Sequence, residues 1–232
     1  MTVRRNTFLA LMALLAAPQL SAATRAQTTV IDEGTFRLTV RGAPVGTETF
    51  SIRRSGSGDA ATTVAQGRVV LDTGEQTRAL LQVEGPDLRP SAYHIEVTGP
   101  DRQSIRGQAA GNRFRAQIVS TAGEMMREYL ASDGAVVLVD DVAHQYYFLA
   151  EHADANGRTP VILPRQSRQI SAQIAEAGTE PIQIDGRTVQ ARRLEVQPAG
   201  MPTRTVWVDQ QNRVLRLRIP DEEYMAERTT LP

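Results

Sequence analysis

What most restricts the fold of this chain is the spacing of its turn signals. From Thr35 onward, short runs that alternate apolar and polar residues are cut by Gly, Pro, Asp and Asn at intervals of roughly 8–12 residues, the signature of an antiparallel sandwich or barrel. Phe36, Leu38 and Val40 alternate with Arg37, Thr39 and Arg41, Gly42 to Gly46 turns the chain, and the return carries Phe50 and Ile52 inward. Asp72-Thr73-Gly74, Gly85-Pro86-Asp87, Gly99-Pro100-Asp101, Gly111-Asn112 and Ser132-Asp133-Gly134 close later runs in the same way, and Asp185-Gly186 is a two-residue hairpin signal. Tyr93, Ile95 and Val97 against His94, Glu96 and Thr98 show one dry and one wet face.

Within this β pattern a single stretch has helical period. Over about 141–153, Val142, Tyr146, Leu149 and Ala153 line one face, Ala143, Tyr147 and Ala150 flank it, and His144, Phe148 and Glu151 lie opposite. Asp140 or Asp141 is the expected cap at its start and Asn156-Gly157 the expected stop. Phe148 off the main face predicts apolar surroundings on more than one side. The expected fold is therefore mainly β, a curved antiparallel sheet (half-barrel or open barrel) that wraps one central α-helix. Residues 224–228 read as a last strand at the sheet's edge.

The chain has 232 residues, and 26 basic residues balance 26 acidic ones, so no charge excess marks a nucleic-acid binder. All the basic residues are arginine, which rules out Schiff-base lysines, phosphate-loop lysines and Ser–Lys dyads. Cysteine is absent too, so there are no disulfides, no thiolate nucleophile and no lipidated amino-terminal cysteine. Residues 1–26 read as a signal peptide: Arg4 and Arg5, an apolar run from Phe8 to Ala17, and small residues for cleavage after Ala23 or Ala26. Loss of its three arginines leaves 23 minus 26, or −3, on a single β-rich domain over 27–232. The expected location is the bacterial periplasm or the medium, with no membrane span and no lipid anchor.

Motifs that carry chemistry are scarce. His144 and His152 are eight apart, a poor spacing for two ligands on one helix, and no metal site is expected. No nucleophile elbow and no dinucleotide fingerprint occur, so no catalytic residues and no cofactors are assigned. Met125, Met126, His144, Tyr147, Phe148 and Trp207 are the candidate lining of a ligand cavity, against the plainer reading of a packed core. Arg165 and Arg168 flank a proline turn and offer an anion site, against a solvated loop.

DDVAHQYYFLAEH, VILPRQSRQ, IDGRTVQARRLEV and VWVDQQNRVLRLRIP, together with the opening Phe36-to-Ile52 hairpin, resemble an exported bacterial domain-of-unknown-function family. The Trp207-Val208-Asp209 to Arg213-Val214-Leu215 segment is the most specific part. The resemblance implies a periplasmic β-rich fold broadly similar to the lipoprotein-carrier (LolA/LolB-like) half-barrel, and no catalytic residues. The leading expectation is a non-enzymatic periplasmic protein that binds an apolar small molecule or lipid between sheet and helix. The alternative is an envelope protein-protein interaction module that uses an edge strand. A hydrolase with dispersed catalytic residues stands third, to be revived by shifted acids in a cleft.

Overall fold

The computed structural model describes residues 28–153 and 158–232. The expected signal peptide and the Asn156-Gly157 helix stop lie outside the described residues. Fifteen strands form one sheet. β1 (Thr28–Val40), β2 (Ala43–Ser55), β3 (Thr62–Leu71), β4 (Gln76–Glu84), β5 (Arg89–Thr98), β6 (Gln103–Ala110), β7 (Arg113–Ser120) and β8 (Gly123–Leu130) follow one another as antiparallel neighbours. β9 (Val136–Val137), β10 (Arg158–Leu163), β11 (Arg168–Ile184), β12 (Arg187–Pro198), β13 (Arg204–Val208), β14 (Val214–Ile219) and β15 (Tyr224–Arg228) complete the sheet, and only the β9–β10 pair is parallel. The Asp185-Gly186 hairpin is present between β11 and β12, with φ of 50° and 70°, the positive pair that a type I′ turn requires.

The expected place of 224–228 is corrected. β15 pairs with β1 on one side and β14 on the other, so it lies in the middle of the sheet and joins the two halves. The edges are β8 and β9, which are consecutive in the chain. In a flat sheet of fifteen strands they would stand fourteen spacings apart, on the order of 65 Å. The link from Leu130 to Val136 reaches at most roughly 20 Å. The sheet must therefore curl until its edges meet, and β9 packs against β5 across the interior. Covalent linkage of the two edges makes the structure a barrel-like spiral.

The expected helix is shorter than its periodicity suggests. A 3-10 turn at Ala143–Gln145 leads into α1 (Tyr146–Ala150). Asp140 and Asp141 do not cap it. The cap comes from across the barrel, because the Glu48 carboxylate on β2 accepts the Ala143 and His144 N–H groups at 2.8 and 2.9 Å. Sequence periodicity registers a helix's own residues and has no view of a cap supplied from another strand. The apolar surroundings predicted from Phe148 are there: Tyr146, Tyr147, Phe148, Leu149 and Ala150 are all buried. The plug from Leu138 to Ala150 fills the spiral against Phe36, Leu38, Phe50, Ile52, Ile95 and Leu217.

Candidate functional site

Two clamps hold the plug. Glu48, fully buried, receives the two backbone N–H groups above and lies 2.7 Å from His144 Nδ1. The His144 ring stacks on Phe50 at 5.4 Å, and Phe50 stacks on Phe36 at 5.1 Å. Gly67 makes room for that ring, since a Cβ there would lie 2.4 Å from His144 Cε1. At the second clamp Asp140 pairs through both oxygens with the fully buried Arg204, and Tyr146 donates its hydroxyl to Asp140 Oδ1 at 2.9 Å. Tyr224 donates to the Asp141 carbonyl at 2.9 Å. These groups anchor the plug, and the Glu48 and His144 side chains are fully buried, so neither is presented to a substrate.

The six candidate ligand residues go to three separate places. His144, Tyr147 and Phe148 are plug residues, the last two in edge-to-face contact at 5.3 Å. Trp207 belongs to a satellite cluster with Ile182, Ile184, Ala191 and Leu215. Its Nε1 donates to Glu180 at 2.5 Å, and the Arg216 guanidinium lies 5.5 Å from its ring. Met125 and Met126 stand exposed on β8. Among the described residues the space found beside α1 is about 10 Å³, room for one water at most, where the ligand reading expects a cavity. Tyr146, Leu149, Val161, Ile170 and Met201 close it.

The two arginines of the anion reading are placed apart. Arg168 is an exposed residue of β11. Arg165 lies in a cleft of about 510 Å³ at one end of the spiral, 3.7 Å from the Asp141 carboxylate. Asp101, Asp140, Asp141 and Glu222 outnumber Arg102 and Arg165 in its walls, a field that repels an anion. Although half of the Asp141 side chain reaches solvent, the packing around its carboxyl raises its pKa, and Arg165 opposes the rise. Glu222 is raised by partial burial and then by the charge of Asp140. An acid raised in the folded state contributes most stability below its unfolded pKa, about 4, and that contribution is lost as pH climbs through the folded value. Glu222→Gln is therefore expected to raise Tm by about 1–2 °C at pH 7. The gain should vanish by pH 4 in a melting series from pH 4 to 8.

No group of three or more His, Asp or Glu side chains among the described residues is arranged to hold a metal. No helix among them is long and apolar enough to cross a membrane.

The third feature is the β7–β8 hairpin. Five large apolar residues are exposed among the described residues, and Val119, Met125, Met126 and Leu130 are four of them, with Val30 the fifth. β8 pairs only with β7. At its far end the Gln169 side chain stands in for a neighbouring strand, accepting the Leu130 N–H at 3.0 Å and donating to the Leu130 carbonyl at 2.7 Å. Because outward-facing main-chain groups recur every second residue, Glu124, Met126 and Glu128 present theirs on the same side as Leu130. No bond within the described residues satisfies them. An open edge with exposed apolar side chains is a template for strand addition.

The fold thus defines a β-rich, barrel-like protein with a packed interior. It is similar to a solved β-barrel-like protein of the domain of unknown function DUF1849 from Brucella abortus, with 10 % identity over 84 % of this chain and 94 % of that one, at a TM-score of 0.50. At that identity the likeness is one of fold. No family model and no curated protein matches the sequence.

Proposed function

We propose that this is a non-enzymatic protein of the bacterial envelope that works by pairing the free edge of β8 with an extended strand of a protein partner. The observation that carries the reading is the concentration of exposed apolar side chains on the one long strand whose hydrogen-bonding edge is open. Strand addition draws affinity from main-chain bonds and specificity from alternate side chains, and both are on offer along Glu124, Met126 and Glu128. The space of about 10 Å³ beside α1 supports edge pairing over lipid carriage between sheet and helix. The amino-terminal 26 residues, with the features of an export signal, support the envelope location.

The reading is tested with a photo-crosslinking amino acid at Met126 in cells that express the protein. Adducts are expected at Met126, none from the same group at exposed Arg41, and none at Met126 once Glu128→Pro removes an edge N–H. A Met126 probe without adducts, or with adducts indifferent to the proline, overturns it.

The raised carboxyls of Asp141 and Glu222 in the end cleft favour a second reading, acid–base hydrolysis. Glycoside or ester turnover that is lost in Glu222→Gln supports it. No turnover across such substrates removes it.

A further inference from the structure

We infer that the strand received by β8 is β8 of a second copy of this chain, so that two spirals join into one continuous sheet about a two-fold axis. The inference rests on the edge reading above and adds the identity of the partner. Strands related by a two-fold axis perpendicular to the sheet pair antiparallel, and each residue faces one whose number makes a constant sum with its own. Only even-numbered residues of β8 send N–H and C=O outward, as the Gln169 bonds to Leu130 show. The axis must then pass through a residue, and the apolar centre of β8 offers Met125, Met126 or Arg127.

Chemistry separates the three. An axis at Arg127 places two guanidiniums face to face and sets Glu124 against the partner's Leu130, whose edge Gln169 already fills. An axis at Met126 sets Glu124 directly against the partner's Glu128, a like-charge pair that destabilises a sheet. An axis at Met125 opposes no like charges. Met125 meets the partner's Met125 at a non-hydrogen-bonded position, where side chains approach most closely. Glu124 meets the partner's Met126, exchanging two main-chain bonds in each such pair. Gly123 lies opposite the partner's Arg127, where the missing side chain leaves room for the long one.

Side chains at the edge fit this register. Glu124 accepts from Gln117 at 2.6 Å, and Glu128 pairs with Arg113 and Arg115, so both carboxylates are held along their own hairpin and clear of the Met125 contact. Met125, 40 % exposed, and Met126, 63 % exposed, supply flexible thioethers that adapt to a partner surface. The Ser167 hydroxyl reaches the Met125 sulfur at 3.6 Å, and the side chain stays 40 % exposed.

The chain has no cysteine, so single substitutions read the register directly. Sedimentation velocity on the purified protein is expected to show a concentration-dependent dimer, and Met126→Pro, which deletes an outward N–H without touching the β7 ladder, a monomer with an unchanged melting curve. Under mild oxidant Met125→Cys is expected to form a covalent dimer in high yield, because facing positions of this type lie within disulfide reach. Met126→Cys and Arg127→Cys should lag at least several-fold. A wild-type protein that stays monomeric, or cross-linking strongest at Met126→Cys or Arg127→Cys, overturns the inference. If the protein is monomeric while the Met126 photo-probe in cells captures a different chain in a proline-sensitive way, the self-pairing fails and the edge reading stands. If neither occurs, both fail.

Discussion

Glu48→Ala is expected to lower the unfolding free energy by roughly 3–5 kcal/mol, a large share of what a protein of this size possesses. The carboxylate is fully buried and serves three donors at once, the Ala143 N–H, the His144 N–H and His144 Nδ1. Alanine leaves two orphaned backbone N–H groups in a dry interior, each costing about 1–3 kcal/mol, with an unpaired imidazole beside them. Water cannot repair the loss cheaply, because Phe50 covers one face of the ring and Gly67 abuts it. Glu48→Gln tests the chemistry separately from the volume. It keeps the shape and one oxygen but turns an NH₂ toward a donor, so its cost should fall between those of wild type and alanine. Urea unfolding gives the magnitudes, and hydrogen exchange gives the location. Protection of the Ala143 and His144 amides should collapse in the alanine variant, while that of β3 to β5 falls by no more than the global loss of stability. An alanine variant as stable as wild type would mean that the plug is not anchored at its amino-terminal end.

Glu48 also shows what the sequence discloses and what it withholds. The alternation that turns Phe50 and Ile52 inward turns Glu48 inward as well, and the same parity puts Asp32 beside Phe36, Arg204 beside Val206, and Arg228 beside Ala226. Four charges on the dry face were therefore legible as anomalies from period two alone. Their partners were not, because Asp32 and Arg228 are 196 residues apart, and only the β1–β15 closure brings them together. The curved sheet with its internal plug follows from turn spacing and from Phe148, since both are local signals. The helix length did not follow, because its cap lies on β2 and because packing, not propensity, orders such a short segment. The position of β15 is hidden from the sequence for a related reason. A terminal strand in the chain is an edge strand only if the sheet grows in chain order, and this one closes its last strand onto its first. Met125 and Met126 were singled out as cavity lining on residue type, yet which edge is free is a property of topology. That property places them on β8, the longer of the two edge strands.

Asp32→Ala is expected to cost about 3–5 kcal/mol, and the companion double substitution should cost much less. Arg228 is the lock on the β1–β15 closure. Its Nη1 and Nη2 reach the two Asp32 oxygens at 2.9 and 2.7 Å, Nη2 reaches the Glu33 carbonyl at 2.5 Å, and Nε reaches the Thr230 carbonyl at 3.0 Å. Its guanidinium lies 5.4 Å from the Phe50 ring, and Gly34 leaves the space that Nη2 fills, 2.8 Å from where a Cβ would stand. Removing Asp32 alone strands a fully buried cation among carbonyls, and removing Arg228 alone strands a buried carboxylate. Each is the costly half of a buried pair. Asp32→Leu with Arg228→Met removes both charges together and replaces them with apolar volume, so the double variant should recover most of the loss. Arg228→Lys separates charge from geometry: the ammonium keeps the charge but cannot match both carboxylate oxygens and the Glu33, Val214 and Thr230 carbonyls from one planar fork. It should be destabilised nearly as much as Asp32→Ala. Urea midpoints for Asp32→Ala, Asp32→Leu, Arg228→Met, Arg228→Lys and the double variant decide the matter. If the double variant loses the sum of the single losses, the pair is not coupled, and the closure of the sheet must be held by the β1–β15 hydrogen bonds and their apolar neighbours alone.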